Sequence, residues 1–234
     1  MHHKIFELEP QMFYEVKNGH GLPHDPFKSC VVPRPIGWIT TISTDGIVNL
    51  APYSFFNGCG DAPPQVMYAP LGQNLDGDLK DSLTNVEATG EFVANMVTWE
   101  LRDQMNETAR HVPHATDEMA LAGLETEVSQ LVKPPRVKAS PIHLECQYIQ
   151  TVELRSHREE YRNLVVFGEV IGIHIRDEVM TDGMVDMSKF KPIARLGYLD
   201  YSITDNVFSM PFPDAGPKAL REAKSQEKGK VAAE

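Results

Sequence analysis

The residues best able to hold an anion and a flat ring fall together between Thr40 and Asn85. Thr40 and Thr41 end one predicted strand, Ser54 and Asn57 follow its hairpin partner, and Lys80-Asp81-Ser82 opens a predicted helix. A helix start offers backbone N–H groups without intrahelical partners and the positive end of the peptide dipoles, which suits a phosphate. Lys80 adds a full positive charge and Ser82 a hydroxyl donor. The chain has 33 acidic and 22 basic side chains, a net charge of −11, so it cannot attract an anion at long range and must hold one with local donors. The same triplet also reads as an ordinary helix start, with Asp78 or Asp81 as N-cap. Phe55-Phe56 beside Asn57 could offer an aromatic edge and an amide to a heterocycle, or be core followed by a turn. Arg34, between Pro33 and Pro35, sits at a stiff strand entrance; there a guanidinium suits anion pairing or is simply a surface charge.

Other chemistries leave no trace. No GxGxxG opens a helix after the first strand, and GxxxxGK[ST], GxSxG and HExxH are all missing. His111 and His114 straddle Pro113, which denies them one helical face, so they read as loop histidines and no metal site is expected. Cys30, Cys59 and Cys146 form no CxxC pair. Cys59, between two glycines but without a paired base, reads as an inert small residue. Met1-His2-His3-Lys4 leads into mixed polar sequence, and the expected compartment is the cytoplasm. The acidic balance speaks against nucleic acid, and no run approaches the ~18 apolar residues of a membrane span.

The elements that must position these residues are mostly strands. Residues 36–43 and 47–54 flank the hairpin signal Thr44-Asp45-Gly46, and Pro52 demands an edge, a bulge or a strand end. Residues 54–61 read as an aromatic then glycine-rich loop, and 65–69 as a short strand. Leu79, Leu83 and Val86 recur at helical spacing, with Gly90 past the end. A strand over 91–98 precedes two helices, over 99–110 and 116–123. Further on, Ile142, Leu144, Cys146 and Tyr148 point one way, and His143, Glu145 and Gln147 form a polar face. A long strand over 163–176 places Val165, Phe167, Glu169, Ile171, Ile173 and Ile175 on one side. On its other side Gly168 and Gly172 mark bends or a close neighbour. The expected organisation is a lead over 1–30, one domain over 31–205 and an arm or tail over 206–234. The fold class is mainly β (α+β), an antiparallel barrel, closed or partly closed, that hides its edges.

Several stretches occur in a telling order: Pro33-Arg34-Pro35-Ile36-Gly37-Trp38-Ile39-Thr40-Thr41, Asn49-Leu50-Ala51-Pro52-Tyr53-Ser54-Phe55-Phe56-Asn57, Asp61-Ala62-Pro63-Pro64 and Lys80-Asp81-Ser82-Leu83-Thr84-Asn85. Gly90-Glu91-Phe92-Val93-Ala94-Asn95, Ser140-Pro141-Ile142-His143-Leu144-Glu145-Cys146, Phe167-Gly168-Glu169-Val170-Ile171-Gly172-Ile173-His174 and Pro192-Ile193-Ala194-Arg195-Leu196-Gly197 follow. Together they resemble the flavin reductase-like family, the group of FMN-binding split barrels that includes flavoredoxin and the flavin-reducing component of nitrilotriacetate monooxygenase. The likeness runs from about 31 to 201, with Ser82 where the family carries threonine.

The resemblance implies a split β-barrel with a few peripheral helices, and a homodimer binding one FMN per subunit at or near the interface. Lys80, Ser82 and Thr40 would meet the phosphate. Ser54, Phe55, Phe56 and Asn57 would line the ring, with Arg34, Asp81 and Asn85 close by and Arg195 reaching in from the closing segment. The implied activity is hydride transfer from NADH or NADPH to flavin, with a partner monooxygenase as receiver of the reduced flavin. An FMN enzyme with its own organic substrate, covered by the insert over 99–130, and a flavoredoxin-like electron carrier are the alternatives. No catalytic residue is implied; His143 is a candidate contact to nicotinamide or substrate, or a satisfied structural histidine.

Overall fold

The computed structural model describes residues 12–73, 77–113, 116–158 and 161–210. The strands begin with β1 (Arg34–Pro35), β2 (Gly37–Ile42), β3 (Val48–Tyr53), β4 (Phe56–Asp61), β5 (Pro64–Tyr68) and β6 (Glu91–Met96). They continue with β7 (Thr126–Glu127), β8 (Arg136–Val137), β9 (Ile142–Leu154), β10 (Asn163–Ile175), β11 (Met180–Thr181), β12 (Met184–Val185), β13 (Ile193–Arg195) and β14 (Tyr201–Ile203). The α-helices are α1 (Phe27–Cys30), α2 (Asp81–Thr89), α3 (Arg102–Glu107), α4 (Glu118–Leu121) and α5 (Met187–Phe190). Among the described residues no helix is long and apolar enough to cross a membrane. The expected arm over 206–234 falls outside the described residues from 211 onward, as does the lead through residue 11.

One antiparallel sheet of seven strands, in the order β3-β2-β6-β9-β10-β5-β4, forms the body. β3 is an edge strand, which is how Pro52 is accommodated without losing a ladder bond. The hairpin before it turns on Gly46, whose φ of 85° suits a residue without Cβ. The expected loop over 54–61 is instead strand β4, at the other edge. Its glycines hid it: the register shifts between Gly58 and Gly60, a bulge that places Cys59 out of step.

The sheet curls until its ends meet. A Cβ on Gly37 would lie 2.4 Å from the Phe56 ring, so this glycine lets β4 close on β2 although the two lie far apart in strand order. Inside the curl Ile39, Phe56, Tyr68, Phe92 and Cys146 pack with Leu83 and Val86 of α2. The barrel remains split because β3 and β4 do not pair. On the outer face Trp38, Leu50, Val137 and Ile193 pack beneath Leu101, Met105 and Met119 of the insert. There the Trp38 Nε1–H donates to Thr108 Oγ1 at 2.8 Å.

One alternation reading needs correction and another a closer look. On the polar side of β9 Gln147 is exposed, but His143 and Glu145 are fully buried because the chain over 129–137 folds across them. Glu145 accepts the N–H groups of Gln130 (2.8 Å), Leu131 (2.6 Å) and Val132 (3.2 Å), and its Oε1 lies 2.5 Å from His174 Nε2. On β10, register shifts at Phe167/Gly168 and Val170/Gly172 break the single apolar face. Val165 is buried, whereas Ile171, Ile173 and Ile175 are 36%, 56% and 42% exposed. The expected close neighbour of Gly168 is the Phe92 ring, 2.4 Å from where its Cβ would be.

Replacing Glu145 by Ala strands three backbone donors under partial burial. The expected cost is about 2–4 kcal/mol, read as a lower urea midpoint at unchanged slope.

Candidate functional site

Where the barrel fails to close, the start of α2, the end of β3 and the insert enclose a cavity of about 280 Å³. Its walls include Tyr53, Ser54, Phe55, Lys80, Asp81 and Glu118. The N-cap of α2 is Lys80, in extended conformation, and its own side chain makes no capping bond. Of the two caps expected from the sequence, Asp81 is already the first helical residue and Asp78 lies two residues ahead of the N-cap. α2 ends, as its sequence predicts, at Gly90, in the left-handed region with its N–H on the Val86 carbonyl at 2.9 Å.

Lys80 Nζ lies 3.5 Å from His111 Nδ1. Partial burial lowers the Lys80 pKa, against the opposing pull of Asp81. A partly dehydrated ammonium beside a helix start is a strong setting for an anion. Of the residues singled out in the sequence, the fold therefore gathers Ser54, Phe55, Lys80 and Asp81 around one cavity.

The others lie elsewhere. Thr40 points to the opposite face of β2 from α2, where its Oγ1 accepts from Asn95 Nδ2 at 2.8 Å. With a side-chain period of two, it is Thr41 that faces the helix, and the Asn85 amide donates to it at 3.1 Å. Neither Thr40 nor Asn85, both buried, reaches the cavity. The Ser82 hydroxyl lies beneath the wall, 2.5 Å from Tyr53 Oη, and burial raises the Tyr53 phenol. Phe56 is core, and Asn57 is exposed on the β4 edge.

Arg34 is buried and directed at carbonyls. It donates to those of Lys28, Val31 (2.6 Å) and Leu196 (2.7 Å), tying the lead to the closing segment, and sits 5.8 Å from the Phe55 ring centroid. Burial and then Arg195 lower its pKa. Arg195 stacks over Tyr201 at 4.5 Å and lines a second cavity of about 790 Å³ with Trp99 and Arg102. His143 is enclosed, Nε2 2.9 Å from the Val137 carbonyl, its pKa lowered to about 4 chiefly by burial. It does not border the cavity of Lys80. His111 borders that cavity, and His114 lies outside the described residues.

Sequence reasoning missed Tyr53 and Glu118. Glu118 is 6% exposed, and its Oε2 accepts the Leu50 N–H at 3.0 Å. Burial raises its carboxyl to about 7, the Leu50 N–H opposes, and Asp81 and Asp117 add to the rise. Its local signal is an acidic pair opening a short helix, which Asp117 alone explains by capping Ala120 N–H at 3.0 Å. Nothing nearby in sequence announces the contact with β3.

The donor set fits an organic phosphate, with Phe55 as a ring wall. The volume of about 280 Å³ is just below the about 300–1,000 Å³ of sites that enclose a drug-sized ligand.

Residues 29–194 match the flavin reductase like domain. An uncharacterized protein of Aquifex aeolicus is 42% identical over 168 residues, 71% of this chain and 82% of the relative. Nitrilotriacetate monooxygenase component B from Bacillus cereus superposes with a TM-score of 0.74 at 26% identity, covering 89% of this chain and 100% of that one. The 2-nitrobenzoate 2-nitroreductase of Pseudomonas fluorescens gives 0.69 at 27% identity, covering 82% and 90%.

The raised carboxyl of Glu118 sets a stability prediction. A carboxyl held above its unfolded value favours the native state while both forms are protonated. That contribution is lost as pH climbs from the unfolded value, near 4.3, to about 7. Without ligand, the protein should lose about 1–2 kcal/mol across this window, less than full linkage because solvent partly screens the site. Glu118→Gln should flatten the loss, measured by urea unfolding at pH 5 and pH 8.

Proposed function

The chain belongs to the flavin reductase-like family, and from that premise we propose that it binds FMN and transfers hydride from NADH or NADPH to flavin. The observation that carries this reading is Lys80, partly dehydrated at the start of α2, sharing a cavity with Phe55. Lys80 and the α2 start would hold the phosphate, while Ser54 and Phe55 flank the ring system. Arg34 positions this wall by gathering the carbonyls of Val31 and Leu196. FMN, when bound, supplies the hydride acceptor and electron store. The protein then needs no nucleophile, in keeping with a sequence that offers no triad.

A second copy of the chain completes the site in this reading. The cavity is small, and the exposed row Ile171, Ile173 and Ile175 offers an apolar surface for pairing. Reduced flavin would pass to an acceptor, with a partner monooxygenase suggested by the likeness to component B. The other reading, an FMN enzyme acting on its own organic substrate, is favoured by the insert, which supplies Thr108, His111 and Glu118 to the cavity wall.

Purified protein supplied with FMN should oxidise NADH or NADPH; no consumption with any flavin or organic acceptor overturns the proposal. Free flavin behaving as an exchangeable second substrate supports the reductase, and tightly held FMN with one specific organic acceptor supports the second reading. Lys80→Met should weaken FMN binding by about 10- to 100-fold, the worth of one charge-assisted hydrogen bond, and riboflavin binding little. Equilibrium titration of flavin fluorescence checks this.

A further inference from the structure

The cavity that contains Lys80 also contains a buried acid from a distant part of the chain. α4 brings Glu118 against β3, where its carboxyl takes the Leu50 N–H that a further strand would otherwise receive. The same carboxyl borders the space shared by Lys80, Asp81 and Tyr53. We propose that Glu118 is a specificity-determining residue for the charge of the bound flavin: uncharged, it leaves Lys80 and the α2 start to a phosphate dianion, and ionised, it discriminates against FMN relative to riboflavin. This rests on the FMN reading of the cavity.

The physical basis is the placement of a negative charge beside that of the phosphate in a small, partly dehydrated space. Like charges there repel far more than in bulk water, because the effective dielectric is lower. Asp81 of α2, Asp117 beside α4 and the Tyr53 phenol of β3 act on Glu118 directly, and Lys80, Lys28, Arg110 and His111 line the same cavity. Burial, Asp81 and Asp117 together raise the carboxyl to about 7, so its charge changes near neutrality. A phosphate monoester completes its own ionisation near pH 6, which strengthens its attraction to Lys80 as pH rises. The two effects run in opposite directions and separate on the pH axis.

The test is flavin fluorescence titration of the ligand-free full chain with FMN and with riboflavin at pH 6.5, 7.5 and 8.5. The FMN Kd should rise roughly tenfold from pH 6.5 to 8.5, as expected for like charges at low effective dielectric, while the riboflavin Kd stays level. Glu118→Gln should hold the FMN rise to less than about twofold, because glutamine keeps an acceptor for Leu50 and cannot ionise. Asp81→Asn provides an independent check: it removes one neighbour that raises Glu118, so the midpoint of the rise should move to lower pH. A rise of equal size in Glu118→Gln assigns the effect to Lys80 and overturns the proposal, as does an equal rise with riboflavin. FMN binding that is tight and flat with pH overturns this proposal alone; no flavin binding at any pH overturns the cofactor reading and this inference with it.

Discussion

Gly37 carries no side chain, and the ring of Phe56 occupies the space where one would begin, 2.4 Å from the missing Cβ. β2 lies next to one edge of the sheet and β4 forms the other, so this contact forces seven strands to curl. Curling does not hide both edges, since β4 stays exposed past Phe56. It stops short of closure, since β3 and β4 make no ladder with each other. α2 seals the split, with Leu83 and Val86 in the barrel core. Its start is left at the surface, where the N–H groups of a helix are most useful to a ligand. A barrel closed by a full ladder would have no such opening.

The sides of that opening are stiffened by polar contacts rather than by apolar packing alone. Ser82 anchors the first turn of α2 to Tyr53, Asn85 anchors the second to Thr41, and Asn95 spans Trp38, Thr40 and Val137 on the reverse face of the sheet. Lys80 is thus carried on a helix that cannot easily rotate. The insert, pinned by Trp38 to Thr108 and by Glu118 to Leu50, sets the depth of the cavity.

What could be read from the sequence followed the range of the interaction that decides it. The hairpin at Gly46, the end of α2 at Gly90, the first half of β9 and the extent of β10 depend on local backbone chemistry, and all were legible. So was the gathering of Ser54, Phe55, Lys80 and Asp81, which the resemblance reinforced. Thr40 was misassigned because two adjacent threonines on a strand look alike until pairing decides which faces the helix. Ser82 and Asn85 have ligand-type polar groups, yet one faces Tyr53 and the other Thr41, contacts made through the sheet. β4 was obscured by Gly58 and Gly60, and Arg34 by carbonyls that converge only after folding.

Two carboxylates to which the sequence assigned no role show why burial alone predicts little. Glu145 and Glu118 are both shielded from water, which pushes either carboxyl upward. For Glu145 the N–H groups of Gln130 and Leu131 and the His174 ring more than offset that push, and its pKa ends below the ordinary range. It stays ionised through neutrality and serves as a fixed clamp on the chain over 130–132. Glu118 has the Leu50 N–H and its own backbone N–H as favourable partners and faces Asp81 and Asp117, so burial prevails and the group titrates near pH 7. The count of donors around each acid, set by loops far away in sequence, separates a structural anchor from a group whose charge can respond to its surroundings.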